Sequence, residues 1–170
     1  MVAARVALVV LVTLLIQVSF VSPLSIGAGV GNIVLLFAIC AGLETDPERG
    51  AIAGFAAGLA FDLLLDTPAG LSALTLALVG YGVGLAKDYV LRSSWIFTTG
   101  LVLLASAGGT LLYAAVAVVF GVTVDAGELP TIVAVIAVIN ALLSKPMRWA
   151  VRWAYGPDSD ARSRDRFVFR

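Results

Sequence analysis

The sequence predicts an all-α membrane protein, a bundle of six transmembrane helices. Three observations carry this: an apolar composition, six hydrophobic stretches divided by short polar breaks, and a one-sided distribution of basic residues. The chain has 170 residues, 61% of them hydrophobic and 13% charged. Soluble domains are about half apolar, and one core of this size could not bury the excess. A greasy surface in water aggregates, whereas in lipid it is matched by the solvent. The formal net charge is zero, so no global field attracts nucleic acid. Histidine is absent, which excludes His-based triads and His metal sites. The one cysteine, Cys40, sits in an apolar run. It cannot form a disulfide within the chain and reads as a buried, inert thiol.

A spanning helix needs about 20 mostly apolar residues. The first stretch runs from about Val6 to Val21 and ends at Ser22-Pro23. It is longer than the ~7–15 residues of a signal-peptide core and lacks a small-x-small cleavage site, so it reads as a retained span. The second runs from about Gly31 to Leu43 and stops at the polar run Glu44 to Arg49. The third covers about Gly50 to Leu65, broken at Asp66-Thr67-Pro68, and the fourth about Ala69 to Ala86, ending at Lys87-Asp88. Trp95 to Phe120 form a long fifth span and Leu129 to Met147 the sixth, where Pro146 is expected to kink or end the helix. Residues 1–153 thus form one six-span domain. The Arg/Asp-rich residues 154–170 read as a disordered cytoplasmic tail.

Placing both ends in the cytoplasm puts Arg5, Arg49, Lys87, Arg92, Lys145, Arg148, Arg152, Arg162, Arg164, Arg166 and Arg170, all eleven basic residues, on the inside. The outside connections carry only the acids Asp66, Asp125 and Glu128. Short loops rich in Lys and Arg stay inside, so the charges support six spans. Every connection is short. There is no room for a nucleotide-binding motor, a catalytic domain or a phosphate-cradling glycine loop. Near the end, Arg148/Arg152 and Trp149/Trp153 repeat at i,i+4, a basic and an aromatic stripe suited to anchoring at lipid headgroups or to docking a lipid or protein.

The third span holds the sharpest signal. Gly50, Gly54, Gly58, Asp62 and Asp66 recur every four residues, so Gly54, Gly58 and Asp62 share one stripe. Two such glycines let another helix backbone approach closely. An acid at this depth costs on the order of 2.5–3.5 kcal/mol on insertion scales, so Asp62 must face the bundle, find a donor or be protonated. Two readings compete: a packing role between spans, or a site for a ligand, a proton relay or a partner helix. The fourth span offers a matching series of Ala69, Ala73, Ala77, Gly80 and Gly84, with the Tyr81 hydroxyl toward the cytoplasmic half. Gln17, Asn32 and Asn140 are the other notable polar groups within the spans. Interhelical hydrogen bonds of their kind contribute about 0.6 kcal/mol on average. Catalysis is hard to build here, because Asp62 and Asp66 lie on one helix and do not face each other across two elements, as an acid–base dyad requires.

The run Gly50-Ala51-Ile52-Ala53-Gly54-Phe55-Ala56-Ala57-Gly58-Leu59-Ala60-Phe61-Asp62, with Gly70-Leu71 and Val79-Gly80-Tyr81 after it, resembles the rod shape-determining protein MreD family. Leu14-Leu15-Ile16-Gln17, Asn32 and Asn140 ahead of Pro146 resemble it too, while Gly31 stands where members usually carry proline. The resemblance implies a non-enzymatic subunit of the cell-wall elongation machinery in the bacterial inner membrane. Its implied partners are an MreC-like single-span protein and, less directly, MreB, RodA and an elongation transpeptidase, with no cofactor. It also implies a fold similar to the substrate-binding subunits of energy-coupling-factor transporters. That likeness supplies a rival function, a vitamin-binding transporter subunit. The rival fits less well, because the outer connections hold few aromatic and no cationic contacts for a carboxylated vitamin. A proton-coupled carrier using Asp62 is a third reading. The Gly54, Gly58 and Asp62 groove is expected to pack the bundle itself and to be available to a partner helix.

Overall fold

Hydrophobic residues cover the outside of the molecule as well as its centre, the arrangement expected of a protein whose solvent is lipid. The computed structural model describes residues 2–21, 32–64, 69–90, 95–121 and 124–156. Six α-helices are present among the described residues, as the segmentation predicts: α1 Val2–Ile16, α2 Ile33–Glu44, α3 Pro47–Leu64, α4 Leu71–Val90, α5 Trp95–Val119 and α6 Leu129–Tyr155. A π-helical turn, Gln17–Val21, continues α1. Leu11 and Leu15 on α1, Ile52 and Leu63 on α3, Leu104 and Val118 on α5, and Leu142 on α6 all point outward.

The helix α2 is the exception. Its residues Ile33 to Leu43 are all buried, and α1, α3, α4, α5 and α6 all pack against it. A helix apolar on every side belongs at the centre of a bundle. At 12 residues it rises about 18 Å, too little to cross a hydrocarbon layer of ~30 Å alone. Among the described residues, three helical stretches are long and apolar enough to cross by themselves: Val2–Ser19, Ile96–Val119 and Leu129–Tyr155. The apolar parts of α2 and α4 are shorter. The glycine-rich α3 opens with Glu48 and Arg49, and what it needs is a close neighbour more than lipid.

One end of the bundle gathers the charged side chains. Glu44, at the end of α2, accepts a 2.5 Å hydrogen bond from Arg148 Nε and lies 3.8 Å from Arg152 Nε. Lys87 on α4 donates to the Thr45 carbonyl, and the Arg5 guanidinium sits 5.4 Å above the Trp153 ring. One part of the expectation for Pro146 is corrected: the proline does not end the helix. The helix α6 continues through the proline to Tyr155. A proline inside a helix costs about 3 kcal/mol, and burial of Val151 and Ala154, with the Arg148 ion pair, offsets that on the far side.

Candidate functional site

The centre of the site is the α3–α4 hairpin, built by removing side chains. A methyl group added at Gly58 would lie 2.6 Å from the Ala73 Cα, and one at Gly54 would overlap the Leu76 carbonyl. One added at Gly84 would come within 2.6 Å of the Pro47 Cα. Gly80 faces the Gly50 carbonyl across the same seam. The two backbones therefore touch along nearly their whole length. A third helix joins at Gly42 of α2, where an added Cβ would overlap the Gly80 carbonyl. Sequence reasoning passed over Gly42, although Ala38 and Gly42 show the same four-residue spacing of small residues. The stripe of Gly54, Gly58, Gly80 and Gly84 is taken up entirely by the protein's own backbone. Tyr81, on the neighbouring face of α4, is exposed.

Asp62 closes the hairpin. Its side chain is 1% exposed, and its oxygens accept backbone N–H groups from Gly70 at 2.9 Å, Ser72 at 3.1 Å and Ala73 at 3.3 Å. Ser72 and Ala73 lie in the first turn of α4 and Gly70 just ahead of it, where N–H groups have no partner within the helix. An acidic side chain also suits the positive end of a helix dipole. Gly70 adopts φ +101°, a conformation that only glycine takes readily, and its N–H meets Asp62. The four-residue spacing revealed the acid and its glycines. It did not reveal that the acid's partners lie eight to eleven residues onward. Asp66 lies outside the described residues.

Gln17 and Asn32 perform the same task at the start of α2. The Gln17 Oε1 accepts the Ile33 N–H at 2.8 Å, and the Asn32 Oδ1 accepts the Leu35 N–H at 2.8 Å. Asn140, fully buried on α6, donates to the Ser106 hydroxyl of α5 at 3.0 Å, a partner the sequence did not single out. Hydroxyls elsewhere in the helices bond back to their own helix: Thr13 to the Val9 carbonyl, Thr75 to Leu71 and Thr110 to Ser106. The expected anchor stripe divides. Trp149 and Arg152 are exposed and Trp153 lies under Arg5, whereas Arg148 folds inward onto Glu44. The Glu44 carboxyl group that receives Arg148 is itself mostly buried.

An apolar exterior around a core stitched by capped, glycine-seamed helices defines an integral membrane helical protein. A model of the family described as rod shape-determining protein MreD matches residues 2–152, and the chain belongs to that family. It is therefore a rod-shape-determining protein of the inner membrane. No curated protein and no solved structure matches the chain.

Proposed function

We propose that this chain is a multi-pass, non-enzymatic scaffold of the cell-wall elongation complex that binds an MreC-like single-span protein, with MreB, RodA and the elongation transpeptidase engaged less directly. The observation that carries this reading is the family match across 2–152. The orientation follows from charge. Arg5, Arg49, Lys87, Arg148 and Arg152 lie on the helix ends that meet at the Glu44 side of the bundle, and the basic side of a membrane protein faces the cytoplasm. Both termini, including the tail 154–170, are then cytoplasmic.

With the α3–α4 seam filled, the partner helix needs another face. A notch of about 320 Å³ between α4 and α5 presents Gly82 and Gly108, where an added Cβ would meet nothing within 4 Å. Small residues that serve no contact inside the chain suit close approach by an outside helix. The test is co-purification of the MreC-like partner with wild type and with the double variant Gly82→Leu/Gly108→Leu. The variant should keep its melting temperature and lose the partner. Retention of the partner by the folded variant rejects the notch, and failure of wild type to retain it rejects the scaffold reading.

A further inference from the structure

We propose that the cleft between α1 and α3 is a binding site for an anionic phospholipid, one acyl chain lying along the cleft and the phosphate held by Arg49 and Tyr155. This rests on the orientation argued above, which places the site in the cytoplasmic leaflet. The cleft has a volume of about 760 Å³, within the ~300–1,000 Å³ of ligand sites. Val6, Val10 and Leu14 of α1 form one wall and Ile52, Ala56 and Ala60 of α3 the other. The polar groups Arg49 and Tyr155 line the same cleft and lie close enough to interact electrostatically. Both stand at the charged end of the bundle, Arg49 in the first turn of α3 and Tyr155 closing α6.

Length identifies the occupant. On α3 the lining runs from Arg49 to Ala60, eleven steps of 1.5 Å or about 17 Å, roughly half of a ~30 Å hydrocarbon layer. That suits one acyl chain in one leaflet. A partner's spanning helix would need a groove about twice as long. Charge points the same way. Among the described residues no carboxyl group pairs with Arg49, and Glu44 is engaged by Arg148 and Arg152. Asp46 and Glu48, its neighbours in sequence, are not part of the lining. A phosphate complements the guanidinium and the phenol hydroxyl. A second protein's helix would bring its own Lys and Arg to this side, against Arg49.

The experiment titrates the full-length protein in detergent with dioleoyl-phosphatidylglycerol or dioleoyl-phosphatidylcholine, reading the melting temperature and the lipid retained by native mass spectrometry. Phosphatidylglycerol should be retained preferentially. The preference should fall about tenfold in Arg49→Gln, the loss of one charge-assisted contact, and remain in the control Arg152→Gln. Ala56→Phe, which fills the cleft, should reduce retention of both lipids while leaving the unliganded melting temperature within a few degrees. Equal retention of the two lipids by wild type, or an unchanged preference in Arg49→Gln, overturns the proposal. So does Ala56→Phe releasing the MreC-like partner with lipid retention intact, which would make the cleft a protein site. Failure of the scaffold reading shows separately, as wild type that retains the lipid but no partner.

Discussion

The two faces of α3 differ by little more than a few methyl groups, yet one is closed and the other open. On the first, Gly50, Gly54 and Gly58 bring the backbone against α4, and Asp62 fastens the end of the seam. On the second, Ile52, Ala56 and Ala60 border a cleft that α1 does not fill. In lipid, burying apolar surface gives helices no advantage over acyl chains, so association depends on close packing and polar contacts. The first face has both. The second has neither, and lipid competes for it on equal terms.

Substitutions on the two faces test that contrast. Gly58→Leu should prevent the bundle from forming, because Ala73 and its backbone leave no space. The milder Gly58→Ala should cost about 1–3 kcal/mol, the usual range for overpacking. Ala56→Leu, on the open face, should stay within about 0.5 kcal/mol of wild type. Thermal denaturation in detergent measures all three, and equal losses on both faces would erase the distinction.

The cap should matter nearly as much as the seam. Asp62→Ala leaves the buried Ser72 and Ala73 N–H groups without their acceptor. At ~1–3 kcal/mol for each unsatisfied group, a loss of about 3 kcal/mol is expected. Asp62→Asn should lose less, because its amide oxygen still accepts. If the alanine variant melts like wild type, the carboxyl group is not what holds the hairpin. A smaller loss than that of Asp62→Ala is expected for Gln17→Leu, which removes one acceptor from the Ile33 N–H. It should cost about 1–2 kcal/mol, visible as a modest shift in melting temperature. A larger loss would mean that Gln17 does more to position α2 than its bond to Ile33 suggests.

Much of this was legible in the residues. Hydropathy separated the six helices, and the glycine spacing of α3 marked its contact face. Gln17, Asn32, Asp62 and Asn140 stood out because an intramembrane polar group needs a partner. Their partners were not legible, since Ile33, Gly70 and Ser72 offer backbone atoms that every residue carries and Ser106 is one hydroxyl among several. For a related reason, Pro146 does not end α6. Local propensity opposes a helix there, and the contacts that outweigh it come from Glu44 on a distant helix and Arg5 at the start of the chain.

By itself the sequence determined the number of helices, the membership in the MreD family and the separation of basic from acidic connections. Each of these depends on composition along a line. Only the tertiary structure decided that α2 lies at the centre, that the α3–α4 seam has no space left, and that a leaflet-length cleft opens behind it. Periodicity says which face of a helix wants company. It cannot say which neighbour arrives or how closely, because that depends on the crossing of two backbones and on the atoms each leaves out.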